Sequence, residues 1–125
     1  MIDNTFGKRL KDIRTSKQPW ISQEELGNKV GRTKMAISQF ETGKNAPPEG
    51  ALLEQLITAL GATDDEAQEL RFLSACSRKS IPGDIESYFY GCISIYDALA
   101  AAREAGLDGT AWEEIAKEIR SRNDQ

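Results

Sequence analysis

Two capping residues, Ser22 and Thr33, stand eleven positions apart with Gly31 just before the second. That spacing confines the segment to two short helices joined by a tight turn. Ser22 and Glu25 have the S-x-x-E spacing of a capping box, and Leu26 with Val30 makes an apolar i, i+4 pair. Gly31 supplies the backbone freedom to stop one helix and turn into the next. Thr33 then caps the second helix. Helical periodicity sends Ile37, Phe40 and Glu41 back into the domain and leaves Lys34, Met35, Ser38 and Gln39 on the outward side.

Apolar stripes at helical spacing lie on both sides of this pair. Phe6, Leu10 and Ile13 predict a first helix over 5–17, and Leu52, Leu53, Leu56, Ile57 and Leu60 predict a fourth over 49–60. The fourth is entered through Pro47-Pro48 and stopped at Gly61. A fifth helix begins at Thr63, where Thr-Asp-Asp-Glu is another capping box, and shows Leu70, Leu73 and Phe72 as its apolar face to about residue 77. No strand-like alternation is long enough to form a sheet, so the expected class is all-α. The segment 78–83, with Arg78, Lys79, Pro82 and Gly83, breaks the pattern as a hinge. Beyond it Ile85, Phe89, Cys92, Tyr96 and Leu99 step by four and three as a seam flanked by Tyr88 and Ile95. A last helix is expected to open at Thr110, with Glu113 completing its box and Trp112, Ile115, Ala116 and Ile119 on one face. The expected organisation is a five-helix domain over 1–77, the hinge, and a helical dimerisation or regulatory tail over 84–125.

Net charge is −4, yet it is unevenly spread. Residues 1–60 hold 9 Lys or Arg against 7 Asp or Glu, a balance of +2; residues 61–125 hold 7 against 13, a balance of −6. The basic residues gather at Lys8, Arg9, Lys11, Arg14 and Lys17, and again at Lys29, Arg32, Lys34 and Lys44, a modest patch of the kind that phosphates attract. The chain has two cysteines, Cys76 and Cys92, and no histidine, which rules out the common zinc spacings and leaves both thiols as expected small buried side chains. No metal or cofactor is expected. Nothing in the sequence spans a membrane or reads as a signal peptide, so the expected setting is the cytoplasm. An all-helical tail of about 45 residues is too short and of the wrong class to supply the serine nucleophile and lysine base of self-cleavage, and no enzymatic activity is expected.

The segment from Phe6 to Gly61 resembles the lambda-repressor-like helix-turn-helix family, the Cro and phage-repressor or Xre-type regulators. Gln23, Gly31, Ile37, Glu41 and Gly43 fall on that family's pattern. Two features depart from it. Gly27 stands where these proteins usually carry Ala, which costs about 1 kcal/mol of helix propensity and points to close helix packing. The link 15–21, with Pro19 and Trp20, is longer than usual.

The resemblance implies that the second helix of the pair enters the DNA major groove, with Lys34, Met35, Ser38 and Gln39 against base edges. Gln23, Arg32, Thr33, Lys44 and Asn45 are then expected at phosphates. It further implies that Arg14 pairs with Glu41 to hold the reading helix to its support. A module this small reads few base pairs, so the expected protein is a repressor binding a palindromic operator as a homodimer. Ile85, Tyr88, Phe89, Cys92, Tyr96, Leu99, Trp112, Ile115 and Ile119 are the expected dimer interface. Two alternatives stay open. One is an antitoxin whose acidic half binds a partner protein while the helix-turn-helix regulates its own operon; the other is an adaptor that no longer binds DNA.

Overall fold

The computed structural model describes residues 5–123, which form eight α-helices and no strand. They are α1 (Thr5–Ser16), α2 (Gln23–Val30), α3 (Lys34–Thr42), α4 (Gly50–Leu60), α5 (Asp64–Ser77), α6 (Gly83–Tyr90), α7 (Ile93–Ala105) and α8 (Gly109–Arg122). The expected all-α class, with five helices followed by a helical extension, is the observed one. The chain divides after Glu86 into two compact units, and that division falls inside α6.

In the first unit, the starts of α2, α3 and α5 are set by side-chain caps. Ser22 Oγ accepts the Glu25 N–H at 3.0 Å to open α2, and Thr33 Oγ1 accepts the Ala36 N–H at 3.1 Å to open α3. Between them Gly31 takes the left-handed conformation, φ 69°, and the Arg32 N–H returns to the Gly27 carbonyl at 2.8 Å. That bond folds the turn back onto α2 so tightly that a Cβ at Gly27 would stand 2.6 Å from the Arg32 carbonyl oxygen. Close packing is therefore the reason for glycine at this position. The complete reciprocal box forms at α5, where Thr63 and Glu66 each cap the other's backbone.

The core of this unit is built from one stripe of each of α1 to α5. Leu10, Ile13, Leu26, Ile37, Leu56, Leu60 and Leu70 are fully buried, each contributing about 1.5–3 kcal/mol by removal from water. Ile21 and Phe40 pack at its edge. Phe72, expected on the apolar face of α5, is exposed instead, one position from the stripe that Leu70 and Leu73 complete. Trp20, on the link between α1 and α2, is also exposed. A buried Ser74 on α5 donates to the Pro48 carbonyl at 2.7 Å and accepts from Arg78 Nη1 at 2.9 Å, while Arg78 Nε reaches Glu49 Oε2 at 2.7 Å. This chain of contacts fixes the entry to α4 against the end of α5.

In the second unit the apolar seam, interrupted at Gly91, runs over two helices: Gly91 follows the end of α6, and Cys92 is extended at φ −151° as the N-cap of α7. Two expectations are corrected there. The last helix is opened by Asp108, whose Oδ1 accepts the Ala111 N–H at 3.0 Å, rather than by Thr110, in keeping with the stronger capping of Asp. Cys92, expected inside, is exposed because it occupies a cap position, and in the first unit Cys76, also expected inside, is exposed because it lies off the buried face of α5. Among the described residues of this unit Ala102 alone is buried. Tyr88, Ile93 and Tyr96 stand open to solvent at 79%, 78% and 59%.

Candidate nucleic-acid interface

Helix α3 is held from beneath by a buried ion pair in which every guanidinium nitrogen is bonded. Arg14 Nε reaches Glu41 Oε2 at 2.7 Å and Arg14 Nη2 reaches Glu41 Oε1 at 3.0 Å, a bidentate clamp between side chains only 6% and 3% exposed. The third guanidinium nitrogen, Nη1, donates to the Ile21 carbonyl at 2.9 Å. Gln23 Nε2 donates to Glu41 Oε1 at 3.0 Å. One carboxylate thus receives α1 through Arg14 and the first turn of α2 through Gln23, and the long link is anchored to the same guanidinium. Two buried charges are tolerated because all three guanidinium nitrogens and both carboxylate oxygens are bonded within the cluster.

Above this clamp the outward flank of α3 is open. Lys34 and Met35 are exposed, Met35 by 67%, while Ser38 and Gln39 are half-buried beside them. Arg32 and Thr33 lie exposed at the helix N-terminus, where unpaired N–H groups and the macrodipole carry partial positive charge. Thr33 Oγ1 serves as acceptor in its cap, which leaves the hydroxyl hydrogen to donate outward. At the other end Gly43, φ 82°, reverses the chain and brings exposed Lys44 and Asn45 back beside α3. There the Asn45 N–H bonds the Gln39 carbonyl at 3.2 Å, and Asn45 Nδ2 donates to Gln39 Oε1 at 2.8 Å.

The basic residues singled out in the sequence sort into two groups. Arg9 pairs with Glu69, Arg14 with Glu41 and Lys17 with Glu66, the last at 2.7 Å, so three of the five charges of α1 and its exit tie it to α3 and α5. Hydrogen bonding to Glu69 raises the Arg9 pKa, and the Lys17 ammonium, followed by the Thr63 N–H, holds the Glu66 carboxyl below its ordinary value. Lys8, Lys11, Lys29, Arg32, Lys34 and Lys44 are exposed. The positive charge that faces solvent is therefore less than the count of basic residues implied, and part of it flanks α3.

Ile85, Tyr88 and Phe89 lie on α6, Cys92 caps α7, Tyr96 and Leu99 lie on α7, and Trp112, Ile115 and Ile119 lie on α8. Phe89 and Ile115 are half-buried and the other seven are exposed. Backbone and Ser94 hydrogen bonds at the start of α7 lower the Cys92 pKa. Among the described residues no group of three or more His, Cys, Asp or Glu is placed to hold a metal, and no helix is long and apolar enough to cross a membrane.

Sequence reasoning missed the bonds from Gln23 to Glu41 and from Asn45 to Gln39. The second had a signal in the sequence: a glycine cap followed two positions later by an amide side chain, which a left-handed turn returns to the helix end.

A family described as "Helix-turn-helix domain" matches residues 5–70, over half of the chain and the whole of α1 to α4. No curated protein and no solved structure compared with the chain matches it. A three-helix frame with the Ser22 and Thr33 caps, the Gly31 turn, and α3 pinned by its buried pair is what that match covers. This chain belongs to the helix-turn-helix family, of the Cro/Xre-like type.

Proposed function

We propose that the protein is a sequence-specific transcriptional regulator, a repressor that binds a palindromic operator as a homodimer. The observation that carries the reading is the open flank of α3, mounted on the Arg14–Glu41 clamp and bordered by Arg32, Thr33 and Lys44. Lys34 suits guanine O6 and N7, Met35 a thymine methyl, and Ser38 and Gln39 base-edge donors and acceptors. Arg32, Thr33 and Lys44 hold phosphates, joined by the second Nε2 hydrogen of Gln23 and the second Nδ2 hydrogen of Asn45. Two such modules sit one helical turn, about 34 Å, apart on the operator. Exposed apolar side chains of the second unit, Tyr88, Tyr96, Leu99 and Trp112 among them, supply the contact between copies.

The test is selection of bound duplexes from a random pool by the full chain. Enrichment of a two-fold symmetric sequence, with binding that weakens steeply as salt rises, is the expected outcome. Failure to bind DNA in low salt overturns the regulator and favours an adaptor.

The balance of −6 over residues 61–125 favours one second reading, an antitoxin whose acidic half binds a small basic protein. Co-purification of such a protein with the chain, together with binding of the chain to its own operon, separates it from a simple repressor.

A further inference from the structure

Asn45 does more than border α3. Its main-chain N–H is bonded to the Gln39 carbonyl at 3.2 Å, and its side-chain Nδ2 donates to Gln39 Oε1 at 2.8 Å. Gly43, at φ 82°, makes the reversal that puts it there. The backbone bond fixes the main chain of residue 45 beside Gln39, and from there its Nδ2 is the donor that meets the oxygen edge of the Gln39 amide. A free glutamine turns either its oxygen or its NH₂ outward; this one has its oxygen drawn toward Asn45 and its two Nε2 hydrogens left to face away.

We infer that Asn45 is a positioning residue that fixes the orientation of the Gln39 amide, and so decides which base Gln39 selects. The inference rests on the reading of α3 as the helix that meets base edges. With Nε2–H₂ presented, Gln39 favours a base that shows acceptors and no donor in the major groove: guanine through N7 and O6, or thymine through O4. Asn45→Asp removes the donor and offers acceptors only, so it draws Nε2 toward itself and turns Oε1 outward, toward the amino hydrogens of adenine N6 or cytosine N4. Asn45→Ala releases the amide to turn either way. Neither change alters the main-chain bond of residue 45, and its side chain is exposed.

The experiment is selection from random duplexes with the full chain in four forms: unaltered, Gln39→Ala, Asn45→Ala and Asn45→Asp. Gln39→Ala identifies the position in each half-site that depends on Gln39. At that position the unaltered chain is expected to enrich guanine or thymine, Asn45→Ala to flatten the preference by roughly tenfold, and Asn45→Asp to shift it to adenine or cytosine. Preferences are compared as ratios between bases at one salt concentration. The charge added by Asn45→Asp lowers all affinities alike and cancels in the ratio. Adenine or cytosine at that position in the unaltered chain, or the same base enriched by both Asn45 variants, overturns the proposal while leaving base reading by α3 intact. No position dependent on Gln39 overturns it as well. No enriched sequence in any form removes the base-reading account itself.

Discussion

A methyl group at position 27 would meet the Arg32 carbonyl oxygen at 2.6 Å and the Thr33 backbone at 3.2 Å, atoms that belong to the turn and cannot swing aside as a side chain would. Gly27→Ala gains about 1 kcal/mol of helix propensity and loses more by forcing α2 and the turn apart. The expected balance is a destabilisation of about 1–2 kcal/mol, read as a lower denaturation midpoint. Arg14 poses the opposite case, a contact that cannot be removed without orphaning its partner. Arg14→Ala leaves the Glu41 carboxylate in a site 3% exposed, with Gln23 as its remaining side-chain bond, and is expected to cost about 3 kcal/mol in the same measurement. Both residues stood out in the sequence, Gly27 as a departure from a pattern and Arg14 as a match to one. What the sequence withheld was the company they keep. The Ile21 carbonyl and the Gln23 amide join the pair only because a long link closes back on Arg14, and linear spacing carries no trace of that closure.

Among the elements, α5 shows how a helix is attached as well as formed. Its cap residue Glu66 accepts from the Thr63 N–H and from Lys17 at the exit of α1, and both hold its pKa down, the ammonium most strongly. A carboxyl depressed in the folded state stabilises above its unfolded value, near 4.5, and ceases to do so as pH falls through the lower folded value. Glu54, lowered by Arg71, acts in the same direction, though its half-exposed side chain weakens the effect. Stability is therefore expected to decline between pH 4.5 and more acid conditions, and Glu66→Gln to make that decline shallower in melts followed across the range. The helices themselves were legible where a cap and an apolar stripe agreed, as in α2, α3 and α5. Legibility failed where two cap residues competed. Asp108 and Thr110 both precede an apolar run, and capping strength decided for the first. The seam through Gly91 shows that periodicity alone does not count helices, since two separate helices can continue one spacing of apolar residues.

For the molecule as a whole, the two units differ in what they bury. The first has a core drawn from five helices, whereas the second keeps Tyr88, Ile93 and Tyr96 in water and buries only Ala102 among its described residues. Open apolar surface of this extent on the second unit is what the proposed contact between copies would cover. Removal of residues 87–125 is expected to give a monomer by sedimentation and to weaken operator binding by at least tenfold, on the order of 1.4 kcal/mol, because one half-site then binds alone. A shortened chain that still sediments as a dimer sets that assignment aside. Recognition of the first unit from sequence was possible because caps, turn and stripe all point to one arrangement. The second carries periodicity without a motif that says what the stripe packs against.

Trp20 lies 60% exposed on the link of the first unit and Trp112 38% exposed on α8 of the second, and these are the chain's two indoles. Each compact unit thus carries a fluorophore of its own. With either one replaced by phenylalanine, emission from the other follows a single unit through a melt or a titration, so the order in which the halves unfold, and which of them senses DNA, becomes a matter of colour.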